Sequence, residues 1–245
     1  MDADLAHRRG KYGIDAPYVP LVFAASGAAL VAFAGWRAGA GPWSIAALIG
    51  GLWCLFNAAS FLYTTRAGKF AVWAGILREL GLRGDERVLD MGCGRGAVLL
   101  LVARLLPRGR AVGVDLWSAV DQSGNRPDTT LRNAGLEGVA ERVELHTGDM
   151  RELPFPDGSF DLVVSSLAIH NIADAAGRSR AVEQAARVLK PGARLLIADF
   201  RATREYAARL RELGMQGVSE RRLGWRFWYG NPWAATRLVT ATRPA

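Results

Sequence analysis

Val88-Leu-Asp-Met-Gly-Cys-Gly-Arg-Gly96 is an apolar strand that runs into an acid and then into glycine at alternate positions. Without a Cβ, Gly92, Gly94 and Gly96 can take positive φ and let the backbone approach a ligand closely. The apolar run from Ala97 to Leu106, stopped by Pro107, reads as the helix that follows, with its first amides aimed at the ligand. Strand, glycine turn and helix make a floor for a nucleoside, a device that dinucleotide-binding proteins share. Cys93, between two of the glycines, reads as a small loop filler rather than a nucleophile.

Outward from this stretch, strand-like and helical runs alternate. They are Arg87–Asp90, Ala97–Leu106, Ala111–Asp115, a helix near Thr129–Leu136, Val143–His146, Phe160–Ser166, a helix over Arg178–Leu189, and Ala193–Asp199. A helix over Arg66–Leu80 precedes them, with Phe70, Trp73, Ile76, Leu77 and Leu80 on one face. A helix over Arg204–Leu213 and two runs, Gly217–Arg222 and Arg237–Thr242, close the chain as an antiparallel pair. The alternation predicts an α/β fold, a doubly wound and mostly parallel seven-stranded sheet with helices on both faces.

Ahead of that domain lie two apolar stretches, Tyr18–Trp36 of 19 residues without a charge and Trp43–Tyr63 of 21 whose most polar member is Asn57. Each is long enough to cross a hydrocarbon core of roughly 30 Å. The connector, 37–42, is so short that the pair is expected to form a transmembrane helical hairpin. Gly27, Gly35, Ala46, Gly50 and Gly51 would let the helices approach, and Tyr18, Trp36, Trp43 and Tyr63 sit where the bilayer interfaces fall. The opposing readings are two buried helices of a soluble protein, or a cleaved signal peptide for the first; a signal peptide has a shorter apolar core and no second span close behind it. Arg8, Arg9 and Lys11 precede the hairpin and Arg66 and Lys69 follow it, against Arg37 alone in the connector, which places both ends in the cytoplasm. The expected organisation is an N-terminal cytoplasmic segment over 1–17, the hairpin over 18–63 and the α/β domain over 64–245.

The chain carries a net charge of +8, and from Arg201 to Ala245 nine arginines face three glutamates. Beside a membrane hairpin such a surplus most simply meets anionic headgroups. Nucleic acid is the competing partner, but no nucleic-acid-binding motif accompanies the charge. The two cysteines, Cys54 in the second span and Cys93 in the glycine loop, are not placed for a structural disulfide, in keeping with a reducing compartment. No metal site is expected.

With its elements in this order, the chain over roughly residues 65–245 resembles the class I S-adenosylmethionine-dependent methyltransferases. Five stretches carry the resemblance: Val88–Gly96, Asp115, Gly148-Asp149-Met150, Phe160–Asn171, and Arg187–Asp199 with its Lys-Pro-Gly turn. The resemblance implies S-adenosyl-L-methionine as cofactor, with the loop residues Asp90, Gly92, Cys93, Gly94 and Gly96 beneath its methionine part. It implies Asp115, with Leu116 beside it, on the ribose hydroxyls, Asp149 on the adenine amino group and Met150 on the ring. Ser165 would contact the cofactor at the end of the fourth strand, which faces the reacting methyl. Two simpler readings stay open: Asp90 caps the loop amides, and Asp149 only stabilises a turn.

Methyl displacement needs in-line approach and exclusion of water more than a strong catalyst. His170 is the candidate base, since imidazole titrates near neutrality, and it could equally hold the loop or bind acceptor; Asn171 is the polar candidate beside it. Two segments depart from the pattern of the family. Leu116–Asp128 is long and rich in turn formers, and Trp117, Gln122 and Asn125 could form a flap there or belong to an ordinary surface loop. Leu223–Trp233 is aromatic, and reads either as core packing with a turn at 230–232 or as a lid or headgroup contact. The expected function is methyl transfer, at a membrane, to a small-molecule or lipid-like acceptor. A non-catalytic cofactor-binding or membrane-assembly protein is the alternative of another class, and a nicotinamide-dependent oxidoreductase is a third, disfavoured by the loop spacing and by Gly148-Asp149-Met150.

Overall fold

The computed structural model describes residues 5–37 and 41–245; half of the expected hairpin connector and the first four residues of the N-terminal segment lie outside the described residues. Two long helices come first, α1 (Tyr18–Trp36) and α2 (Pro42–Tyr63). They pack as an antiparallel pair whose closest approach is at Gly27 and Gly51. A Cβ on Gly27 would stand 2.9 Å from the Gly51 carbonyl oxygen, and one on Gly51 would stand 3.0 Å from that of Gly27. A Cβ on Gly35 would meet nothing within 4 Å among the described residues, so Gly35 has no part in the approach there. Both helices are long and apolar enough to cross a membrane, and less than a quarter of either apolar window is buried against the rest of the protein. Leu21, Ile45, Ile49 and Leu52 are all more than half exposed, which is not how the helices of a soluble core sit.

The helix expected over Arg66–Leu80 does not start afresh. α2 continues through a π-helical segment, Thr64–Gly68, into α3 (Lys69–Glu79). The cause comes from the far end of the chain: the backbone at Arg226 presses so closely on Gly68 that a Cβ there would overlap the Arg226 carbonyl oxygen, and Thr64 Oγ1 donates to Trp228 O at 2.5 Å. Widening one turn accommodates both contacts.

The sheet has seven strands: β1 (Arg87–Met91), β2 (Arg110–Asp115), β3 (Val143–Thr147), β4 (Phe160–Ser166), β5 (Leu189–Asp199), β6 (Gln216–Arg222) and β7 (Arg237–Thr242). Their order is β3-β2-β1-β4-β5-β7-β6. β1 to β5 are parallel, and β7 lies antiparallel between β5 and β6, so the sheet is mixed. The Lys-Pro-Gly sequence is not a free turn before the fifth strand. It lies within β5, whose register on β4 jumps from Phe160↔Leu189 to Leu162↔Arg194, leaving 190–193 as an outward loop around Gly192 at φ +75°.

Helices α4 (Leu99–Arg104), α5 (Pro127–Glu137), α6 (Ala175–Val188) and α7 (Thr203–Glu212) cover the sheet. Alternation along β1 sends Val88 into the core beneath α3 and α4 and Leu89 into the core beneath α6 and α7. Each such side chain, fully buried, contributes roughly 1.5–3 kcal/mol. The N-terminal residues join the first of these cores. Leu5 and Tyr12 are buried in it, Arg104 Nη1 donates to the carbonyls of Leu5 and His7, and Glu137 Oε1 accepts from the amides of Arg9 and Gly10 and from Tyr12 Oη. Residues 5–12 of the segment expected over 1–17 thus pack against the sheet domain.

The arginine surplus after residue 200 does not form one free basic face. Arg209, Arg221 and Arg237 pair with Glu183, Glu79 and Glu220, and Arg243 donates to the Arg187 carbonyl.

Candidate active site

The chain turns back at β1 and β4: β2 and β3 extend the sheet one way and β5 the other. The crevice at the carboxyl ends of those strands is where ligands bind in open α/β sheets. It holds a cavity of about 740 Å³.

The glycine loop forms its floor. Gly92, Gly94 and Gly96 have φ of +75°, +50° and +86°, and the Gly92 and Cys93 amides donate to Val114 O. Gly92 is fixed by contact as well, since a Cβ there would stand 2.1 Å from that of Ala168. Gly92, Cys93 and Gly94 line the cavity; Gly96 is not among its lining residues and packs instead on Leu100 and Thr130. Burial pushes the Cys93 thiol well above its usual range, so it is inert as a nucleophile.

Three carboxylates expected at the cofactor line the cavity in different states. Asp90 is buried, with Oδ1 lacking a hydrogen-bond partner among the described residues. Burial, with Asp115 nearby, raises its carboxyl to about 7 against the opposing Leu99 amide. Asp115 ends β2 and accepts from Gly94 N at 2.7 Å, Trp117 N at 2.6 Å and Asn125 Nδ2 at 3.1 Å. Asp149 is held by Arg151, whose hydrogen bonds keep its carboxyl below the ordinary range. Leu116 and Met150 line the cavity too. Ser165 does not: its hydroxyl donates to Met91 O at 2.8 Å, tying β4 to β1. The next residue, Ser166, lines the cavity and accepts from Trp73 Nε1. Side chains alternate along a strand, which is why one of the pair faces in.

The segment after β2 is anchored to the loop. Gln122 Oε1 accepts from Arg95 N at 2.8 Å, Asn125 holds Asp115, and Trp117 Nε1 donates to Thr147 Oγ1. Trp117 itself sits at φ +61°.

His170 and Asn171 follow β4 and line the cavity. His170 Nδ1 lies 2.8 Å from Asp199 Oδ1, within ion-pair reach but out of line for a hydrogen bond. Asp199 is fully buried and also accepts from His170 N, Phe200 N and Tyr206 Oη. Sequence reasoning passed over Asp199, although it ends a buried strand as Asp115 does, and that was its signal. It passed over Asp15, Lys69 and Tyr229 as well. Lys69 Nζ lies 2.7 Å from Asp15 Oδ2, to which Tyr229 Oη and Thr65 Oγ1 also donate, and Gln122 Nε2 donates to Oδ1. Burial pushes the Asp15 carboxyl up, but the Lys69 ammonium and these hydrogen bonds outweigh it and hold it below the usual range. The hint lay in Lys69, a cation beside an apolar helix face.

Fold and cavity together define the class I methyltransferase architecture. Residues 89–197 match a family model described as a methyltransferase domain. Over 135 residues the chain is 35% identical to a ubiquinone/menaquinone biosynthesis C-methyltransferase from Pseudomonas putida, covering 54% of this chain and 49% of that protein. It is 34% identical over 121 residues to a 27-O-demethylrifamycin SV methyltransferase from Amycolatopsis mediterranei, covering 49% of this chain and 41% of that one. The chain thus spans about half the length of the curated relatives it matches. Among solved structures, geranyl diphosphate C-methyltransferase from Streptomyces coelicolor, solved with geranyl diphosphate and S-adenosyl-L-homocysteine, superposes with a TM-score of 0.56 at 18% identity, covering 71% of this chain and 80% of that one. A methyltransferase from Aquifex aeolicus superposes at 0.53 with 20% identity, over 69% and 88%.

Proposed function

We propose that the protein is a membrane-anchored S-adenosyl-L-methionine-dependent methyltransferase acting on a small hydrophobic or lipid-like acceptor. One observation carries the reading: a single cavity joins the glycine floor and Asp115 to His170 and to residues of both hairpin helices, Tyr18, Val19 and Phe61. The residues fit the cofactor. The partnerless oxygen of buried Asp90 is complementary to a cation, and S-adenosylmethionine carries an ammonium and a sulfonium. Asp115 retains acceptor lone pairs for ribose hydroxyls, and the Gly92 floor admits close contact. Asp149 reaches an adenine amino group once Arg151 gives way.

When bound, the cofactor supplies an electrophilic methyl on sulfur. The protein's part is to hold the acceptor in line, keep water out and take a proton where the acceptor nucleophile has one. His170 is the base in this reading: with Nδ1 facing Asp199, Nε2 is left for the acceptor, and Asn171 beside it offers an amide for hydrogen bonding.

The hairpin places this chemistry at the bilayer, and confinement raises the effective concentration of a membrane-resident acceptor. Arg8, Arg9 and Arg66 flank it on the side of the catalytic domain, which supports a cytoplasmic placement of that side. In domain terms, the hairpin spans 18–63 and the catalytic domain 64–245, with residues 5–17 packed into the latter.

The test is transfer of label from methyl-labelled S-adenosylmethionine to separated membrane-lipid and soluble extracts of the source cell, with Asp115→Ala as control. Label in the lipid fraction, lost in the control, is the expected result. No label in either fraction, despite measurable cofactor binding, would overturn the catalytic reading.

A further inference from the structure

The acceptor end of the cavity is built from hairpin and aromatic loop together. From His170 a run of ring contacts leads away from the glycine floor: His170 to Phe200 at 4.5 Å, Phe200 to Tyr229 at 6.3 Å and Tyr229 to Phe61 at 4.9 Å. The last of these rings belongs to α2, and Val19, in the first turn of α1, lines the same cavity. A wall of this kind gives an apolar chain a surface to lie against and offers little to a polar solute.

The loop that carries Tyr229 climbs α2. Its Arg226 backbone meets Gly68, Trp225 stacks on Tyr63 at 5.4 Å, Asn231 Nδ2 donates to Asn57 Oδ1 at 2.8 Å, and Trp233 meets Trp53 at 5.9 Å. From Gly68 back to Trp53 is about 22 Å along a helix axis. The loop therefore runs beside the apolar stretch as far as its middle. Asn57, the one strongly polar side chain of that stretch, is fully buried because the loop covers it. On the outer side Trp225 and Trp233 are 58% and 81% exposed, and the Arg226 guanidinium stands 5.6 Å from the Trp225 ring centre. Trp225, beside Tyr63 at the end of the stretch and with an arginine next to it, suits the headgroup layer, whereas Trp233, level with Trp53, suits the lipid chains.

We infer that the acceptor enters from the cytoplasmic lipid leaflet, through a mouth between the first turn of α1 (Tyr18, Val19) and Ala234 of the loop, and that it is an amphiphile whose tail stays among the lipid chains while its nucleophilic head reaches His170. This rests on the methyl-transfer reading for the head and on membrane insertion of the hairpin for the tail. A soluble metabolite is the acceptor class it excludes.

Two experiments on the full chain test it. In a Cys54→Ala background, a nitroxide is placed at Ala234→Cys, at Leu48→Cys on the hairpin and at Asp157→Cys at the opposite end of β4, in nanodiscs of phosphatidylethanolamine and phosphatidylglycerol. The label at 234 is expected to relax more with oxygen than with an aqueous nickel chelate, as at 48 and opposite to 157; the aqueous pattern at 234 overturns the mouth. Secondly, Val19→Trp and Ala234→Trp, which narrow the mouth, should lower label transfer to the lipid extract at least tenfold with S-adenosylhomocysteine affinity within threefold of the unmodified protein. Undiminished transfer, or label confined to soluble acceptors, overturns the proposal. Lipid exposure at 234 together with no transfer by the unmodified protein would support the mouth while rejecting methyl transfer, so the two failures are distinct.

Discussion

Gln122 joins Asp15 to the glycine loop: its Nε2 donates to Asp15 Oδ1 at 3.0 Å while its Oε1 accepts from Arg95 N at 2.8 Å. A residue three positions before the first hairpin helix is thereby one side chain away from the floor of the nucleoside site. Removing the carboxamide leaves a loop amide without its acceptor, at a cost of about 1–3 kcal/mol. Gln122→Ala is expected to weaken S-adenosylhomocysteine binding by about tenfold, and Gln122→Glu, which keeps the acceptor but sets a carboxylate against Asp15, by at least as much. Calorimetry on the two variants checks this; unchanged affinity in both would show that the loop holds its shape alone.

The same Asp15 forms a buried pair with Lys69, whose side chain is only 5% exposed. Asp15→Ala strands an ammonium in the interior, which typically costs about 3–5 kcal/mol, whereas replacing both members with apolar groups is close to neutral. Asp15→Leu combined with Lys69→Met should therefore melt above the Asp15→Ala variant, though below the unmodified protein because Tyr229, Thr65 and Gln122 lose their acceptor. The sign with pH follows from the depressed carboxyl of Asp15: its contribution is complete above the ordinary carboxylate value of about 3.9 and is lost as the pH falls below that. The difference between the unmodified protein and Lys69→Met should shrink in acid. A double variant as unstable as Asp15→Ala would refute the pairing.

Asp90 behaves oppositely. Its carboxyl is raised to about 7 by burial, so the neutral form is favoured below that pH, and its stabilising contribution is whole below about pH 4 and is lost as the pH climbs through 7. The slope has a ceiling of about 1.4 kcal/mol per pH unit. A cationic ligand prefers the ionised form, so S-adenosylmethionine affinity should rise with pH up to about 7 and level off. Asp90→Asn should flatten both curves, and a persisting slope in affinity would assign the titration to another group.

Much of this was legible because the signals are short-range and chemically narrow. Three glycines at alternate positions after an apolar strand admit few folds, and Asp115 at the end of β2 needs only strand geometry to be placed. Ser165 and Ser166 show the limit: both lie on one apolar run, and only the pleat, together with the neighbouring strand, decides which faces the cavity. Asp15 and Tyr229 are 214 positions apart, and nothing local to either announces a shared hydrogen bond. The uninterrupted passage from α2 into α3 was hidden for the same reason, since it depends on Arg226 reaching Gly68 from the far end of the chain.

His170 and Asp199 can be separated by what each does to rate and binding. Asp199 is buried and also holds the Phe200 amide and Tyr206, so it positions the imidazole rather than touching acceptor. If His170 takes a proton during transfer, His170→Ala should lower kcat about a hundredfold, within the usual range for a lost base, with cofactor affinity unchanged and the pH dependence of kcat abolished. His170→Gln keeps a hydrogen-bonding side chain without a base and should be as slow as His170→Ala; near-normal turnover in the glutamine variant would instead make His170 a binding group. Asp199→Asn should lower kcat by a smaller factor and leave KM for S-adenosylmethionine unchanged, because the imidazole survives with its orientation loosened. If Asp199→Asn were as slow as His170→Ala and also bound cofactor poorly, the carboxylate would be supporting the whole strand end and not the histidine alone.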